Sequence, residues 1–284
     1  MSHRIRNARG REVDVHFETP HELIVWGERI ADELGEQAGF IGAMAVGSCV
    51  NFELDWFSDL DMFAFSDGAL GAAERLDACC RRLGGRRDED AESVHFPLDT
   101  PGYLFEHHYI EPGILTIAEV DDLVAKVLSA QARDEGRIFA LRNGKVLFDK
   151  TGEVSTLQER LRSLSVPGAY LKWFASISLD CPMKLLIHAV ERRDYPYAAH
   201  WLVQFYYDCV RIIFARNKSF FPGMKRTLLR TLPELAHVPA GFCHFWTETF
   251  STGIGNWDAV VERCREFASE LKGLSGVRPP RASL

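Results

Sequence analysis

A chain of 284 residues has room for two modest domains or one large one, and 46% hydrophobic with 26% charged residues is ordinary globular composition. The formal net charge of -7 lacks the Lys/Arg excess that neutralises a phosphate backbone, which argues against a general nucleic-acid binder and leaves room for a local basic pocket. No run of about 18 apolar residues occurs to span a bilayer, so no membrane partner is expected.

The N-terminal segment mixes charges and has no apolar h-region, and the seven cysteines form no C-x-x-C pair. Cys209 and Cys243 sit among apolar neighbours, as reduced core thiols do, so the expected location is cytoplasmic.

Thr19-Pro20 is a helix start with proline in the first turn, and Leu23, Ile24, Ile30 and Leu34 give an apolar face; a helix is predicted over residues 20–37. FIGAMAV (Phe40 to Val46) is too short for a helix and stops at Gly47-Ser48. LDMFAF (Leu60 to Phe65) is a second such run, and both read as buried strands. A helix over 70–83 follows, broken by Gly84-Gly85 and a charged tract from Arg86 to Glu92 that reads as a solvated loop. SVHFPL, YLFEHHYI and GILTIA read as strands of a meander, separated by Asp-Thr-Pro-Gly and Glu-Pro-Gly turns, before a helix over 121–131. Asn143-Gly144 between two apolar runs predicts a hairpin.

Beyond Val166-Pro167-Gly168 the chain turns to long aromatic helices, predicted over 170–192, 195–215, 224–231 and 257–271. The reading is a sheet-containing first half and an all-helical second half, with a boundary between residues 150 and 168.

Asp59 and Asp61 bracket Leu60 on a predicted strand, so the period of two points both carboxylates to one face. Like charges this close repel, and a divalent cation is the usual compensation; hard oxygen ligands suit Mg²⁺ or Mn²⁺. An isolated D-x-D is more often a wet strand edge. Here Gly47-Ser48 ends the preceding strand, and a turn there offers backbone N–H groups and a hydroxyl to phosphate.

The combination of apolar strand, Gly47-Ser48, an interval beginning Cys49-Val50, then Ser58-Asp59-Leu60-Asp61 opening a second strand resembles the polymerase-β-like nucleotidyltransferase superfamily. More narrowly, it is similar to the antibiotic nucleotidyltransferases that act on aminoglycosides and lincosamides. GKVLFDKTG (Gly144 to Gly152) is similar to a hairpin these enzymes carry, and ARNKSFFPGMKRTL (Ala215 to Leu228) to an Asn, aromatic-Pro-Gly, Lys element of their helical domain.

The resemblance implies an α+β fold: a nucleotidyltransferase-type mixed sheet flanked by helices over residues 1–154, then an all-α bundle over 155–284. It implies a metal held by Asp59 and Asp61, and an NTP, ATP first, cradled by Gly47, Ser48 and Lys225. The NMP would pass to a hydroxyl of a small, antibiotic-like acceptor. Two alternatives stand beside this enzyme: a catalytically degenerate nucleotide-binding or regulatory protein, and a protein-nucleotidylating toxin–antitoxin component.

The family's third carboxylate has no counterpart in GILTIA; Glu106, Glu111 and Glu119 lie nearby, and none is assigned by spacing. A base from the helical half is the other option. At about 100° per residue, Tyr197, His200, Gln204, Tyr207, Asp208 and Arg211 share one helix face, opposite Trp201, Phe205, Cys209 and Ile212. That face is either wet or a cleft wall, and in the second case Asp208 is the candidate base or acceptor-binding acid. His107 and His108 alternate across a strand and do not share a metal; His95 and His107 read as structural.

Overall fold

A computed structural model describes residues 2–6, 12–16, 20–48, 50, 59–87, 102–105, 108–223, 228 and 231–274. Two compact units emerge. The first joins Met1–Leu123 to Ala140–Leu164, and the second joins Val124–Phe139 to Ser165–Leu284.

The first unit is built on six strands: β3 (Phe40–Val46), β4 (Leu60–Ser66), β5 (Arg86–Arg87), β6 (Tyr103–Phe105), β7 (His108–Leu115) and β8 (Lys145–Asp149). Their order is β5-β6-β7-β4-β3-β8, with β4 and β7 parallel and every other neighbour antiparallel, so the sheet is mixed. A separate antiparallel pair, β1 (Ser2–Arg6) and β2 (Glu12–His16), precedes it.

Helices α1 (Pro20–Gly35) and α2 (Ala72–Arg82) pack on one face of the sheet. Leu23, Ile30, Leu34, Leu76 and Cys79 meet Ala43, Ala45, Leu60, Met62, Ala64 and Ile110 there. Those strand residues alternate along the chain, as a pleated ribbon with one buried face requires. Helix α5 (Glu153–Ser163) buries Val154, Leu157, Gln158 and Leu161. Gln158 Nε2 donates to the carbonyls of Gly144 (2.7 Å) and Leu141 (3.2 Å) and touches Met44 Sδ, which ties this helix to the other side of β3.

The strand and helix expectations for residues 20–83 hold to within a few residues. The hairpin at Asn143-Gly144 does not form. Residues before it make helix α4 (Glu135–Asn143), whose Ile138 and Leu141 are fully buried at helical spacing, and tertiary burial overrides the turn signal. GKVLFDKTG is accordingly β8 plus the entry to α5, where Asp149 accepts from the N–H of Gly152 (2.9 Å) and of Ser155 (2.8 Å).

Nor does Glu111-Pro112-Gly113 turn; β7 runs straight through it. Pairing with β6 stops at Ile110, so the proline that has no N–H lies past the last antiparallel partner. The strand then ends sooner than expected. Thr116 and Glu119 form a capping box, in which Thr116 Oγ1 accepts from the Glu119 N–H (3.1 Å) and Glu119 Oε2 from the Thr116 N–H (2.7 Å). That box starts helix α3 (Ile117–Leu128). SVHFPL and the greater part of the helix expected over 224–231 lie outside the described residues.

In the second unit the helix expected over 170–192 is two, α6 (Gly168–Ile177) and α7 (Asp180–Glu191). Pro182 lacks the N–H that would continue one into the other. Asp194 then caps α8 (Tyr195–Arg216), accepting from the Tyr197 N–H at 3.2 Å. Helices α9 (Phe242–Thr252) and α10 (Trp257–Leu274) follow. Its core is aromatic: Phe205, Phe242, Trp246 and Phe267 are all buried. The expected division at 154/155 falls in the first turn of α5, whose packing against β3 and β8 puts it with the sheet.

Candidate metal and nucleotide site

Leu60, the first residue of β4, is fully buried under α1, and this anchors Asp59 and Asp61 on its two sides with their carboxylates on the opposite face. The β3–β4 register sets Val46 across from Asp61, so the chain reaches Gly47 beside that carboxylate. Gly47 adopts φ +78°, a left-handed conformation that glycine takes without cost. A side chain has no room there, because a Cβ on Gly47 would overlap Asp61 Oδ2. The bend and the acid are therefore packed against each other, with Ser48 half-buried next in the turn.

On the other side of β4, the parallel register places Glu111 of β7 across from Asp61. Asp59, Asp61 and Glu111 each offer a carboxylate oxygen, and the three lie within 4.8 Å of one another, all half-buried. Among the described residues, Glu111 is the acid that the fold brings to the pair. Read as a turn residue it has no fixed direction; in a continuous strand it falls level with Asp61. The capping box at Thr116–Glu119 was the available signal, since it ends the strand at Leu115 and moves the acidic position into its interior.

Three like charges at this spacing repel by about 3 kcal/mol per pair at an effective dielectric near 20. A three-carboxylate set of hard oxygens fits Mg²⁺ or Mn²⁺, and partial exposure leaves water and a substrate access to it.

Asp208 belongs to the second unit, and it is 5% exposed, so its stretch of the α8 face is not a wet one. Its Oδ1 lies 3.7 Å from Arg133 and 3.8 Å from Arg211, while Arg211 Nε lies 3.6 Å from Glu135 Oε2. Tyr170 donates its hydroxyl to Glu135, and the Arg211 guanidinium sits over the rings of Phe221 (4.9 Å) and Phe174 (5.9 Å). Burial pushes Asp208 up to about 6 against the pull of the two arginines, with Glu135 adding to the rise. Burial also raises Glu135, and Arg211 offsets only part of it.

Tyr197 and His200 are exposed on the same helix, and their rings stack at 6.4 Å. Lys225 lies outside the described residues. Asn217, which opens the Asn, aromatic-Pro-Gly element, has a structural task. Its amide donates to the carbonyls of Ile213 (2.8 Å) and His237 (3.3 Å) and its oxygen accepts from the His237 N–H (3.1 Å).

No protein-family model and no curated protein matches this chain. Among solved structures it is similar to a nucleotidyltransferase-like protein from Exiguobacterium sibiricum, at 10% identity and TM-score 0.45, over 87% of this chain and 74% of that one. It is also similar to a spectinomycin adenyltransferase from Enterococcus faecialis with ATP and spectinomycin, at 14% identity and TM-score 0.39, over 91% of this chain and 100% of that one. A third likeness is to an aminoglycoside 6-adenyltransferase from Bacillus subtilis, at 14% identity and TM-score 0.33, over 93% and 94% of the two chains.

Proposed function

We propose that this chain is a metal-dependent nucleotidyltransferase that moves NMP from an NTP, ATP being the first choice, to a hydroxyl of a small molecule such as an aminoglycoside-like or lincosamide-like compound. The observation that carries the reading is the meeting of the Asp59, Asp61 and Glu111 carboxylates beside the Gly47-Ser48 bend. A metal-ligating acid set beside a bend that offers backbone N–H groups is what transfer from a metal-bound triphosphate calls for.

Asp59 and Asp61, joined by one oxygen of Glu111, would hold Mg²⁺ or Mn²⁺, which when bound would supply positive charge to the triphosphate oxygens. Gly47 brings the backbone close to the phosphates, and Ser48 offers its hydroxyl as a donor. Glu111 takes the proton from the acceptor hydroxyl as that oxygen bonds to the α-phosphorus; the bond from phosphorus to the bridging oxygen breaks, and pyrophosphate leaves. Asp208 and Lys225 are proposed for the acceptor and the triphosphate respectively. An acidic chain suits a cationic acceptor such as an aminosugar.

The test is pyrophosphate release with Mg²⁺ and each of the four NTPs over a panel of aminoglycosides and lincosamides, followed by mass measurement of the acceptor. An acceptor heavier by one nucleotide is the expected result. Metal-dependent ATP binding without release from any acceptor would favour a binding protein, and an added nucleotide on a co-purified protein would favour protein modification.

A further inference from the structure

Tyr109 and Glu111 stand two residues apart on β7 and so project from the same side of the sheet. The register of β7 with β4 pairs Leu60 with Ile110, which sets Tyr109 level with Asp59 as Glu111 is level with Asp61. On its other side β7 pairs with β6, Leu104 with Tyr109 and Tyr103 with Ile110; one step further along this ladder, Gly102 comes opposite Glu111. Gly102 has no space for a side chain, because a Cβ there would overlap the Tyr109 hydroxyl and Cζ and lie 3.0 Å from Cε2. The Tyr109 ring is thus laid diagonally over Gly102, and its hydroxyl is carried forward to the level of Glu111.

A phenol at neutral pH is an uncharged donor, and a carboxylate is the acceptor with which it makes its strongest hydrogen bonds. An acid cluster that repels itself gains from a donor that adds no competing cation. We propose that Tyr109 is a positioning residue whose hydroxyl donates to the Glu111 carboxylate and keeps it aligned with Asp59 and Asp61. This rests on the reading of the three acids as a divalent-cation site. Glycine at 102 is then the condition for the ring's placement.

The test is Mn²⁺ titration of the full chain by electron paramagnetic resonance, for the wild type, Tyr109→Phe, Glu111→Gln and the double variant. Loss of one charge-assisted hydrogen bond weakens Mn²⁺ binding about tenfold in Tyr109→Phe. In the Glu111→Gln background the same change has no further effect, a non-additivity that a merely structural tyrosine would not give. Gly102→Ala, which keeps the hydroxyl in the chain but drives the ring off its place, repeats the loss. Full Mn²⁺ affinity in Tyr109→Phe or in Gly102→Ala, or additive losses with Glu111→Gln, overturns the role of Tyr109 and leaves the metal site standing. A wild-type chain that binds no Mn²⁺ overturns both.

Discussion

Replacing Gly47 by alanine tests the contact on which the site depends. Two costs are expected. The backbone at φ +78° takes a Cβ at about 1–2 kcal/mol. The added methyl also collides with Asp61 Oδ2, so the carboxylate must swing away from Asp59 and Glu111. Gly152 separates the two, because it has the same φ of +78° and no atom within 4 Å of the place its Cβ would take. Gly152→Ala should lower the melting temperature by a few degrees and leave Mn²⁺ affinity unchanged. Gly47→Ala should lose at least as much stability and, with one ligand displaced, bind Mn²⁺ on the order of 10–100-fold more weakly.

Linkage offers a second reading of the same experiment. Metal at about 100 times its Kd stabilises a wild-type chain by about 2.7 kcal/mol, and in Gly47→Ala at the same concentration that gain falls to about 0.4–1.4 kcal/mol. Thermal melts of both variants with and without Mn²⁺, alongside calorimetric titration, give all four quantities. Equal Mn²⁺ affinities for Gly47→Ala and Gly152→Ala would refute the argument that the glycine is there to clear the acid.

Glu111→Gln keeps the shape of the cluster but removes the proton acceptor, and pyrophosphate release should fall at least about a hundredfold; an unchanged rate would mean that the base lies elsewhere. Asp208 has its folded-state pKa raised to about 6 from an ordinary 3.8, so the native chain holds its proton longer than the unfolded chain. Its contribution to stability is then complete below about pH 4 and lost as pH rises to about 6. Asp208→Asn should flatten that fall in urea melts at stepped pH, and an unaltered slope would exclude the buried acid as its source. Thr116→Ala removes one half of the capping box of α3 and should cost about 1 kcal/mol, measured as a shift in urea midpoint.

The acid pair, the glycine bend and the strands that carry them were legible in the sequence because each is a local pattern. Short apolar runs, a Gly-Ser stop and a period of two need no knowledge of partners. Glu111 was hidden because its meaning lies in the register of β7 against β4, which is non-local, and because Pro112-Gly113 mimics a turn. Asn143-Gly144 misled for the opposite reason: a strong local preference lost to the burial of Ile138 and Leu141. The Glu135–Arg211–Asp208–Arg133 group joins residues about 75 positions apart in sequence, and one-dimensional spacing carries no trace of it.

The path of the chain between its two units bears on how this protein can be dissected. The backbone passes from one unit to the other after Leu123, returns after Phe139 and leaves again after Leu164. A fragment beginning at Ser165 would lack Arg133 and Glu135, stranding Asp208 and Arg211 in an apolar interior with only each other. Excision of the C-terminal part is therefore expected to yield an insoluble piece, and a protease nick near residue 164 should leave the halves co-migrating until denaturant is added.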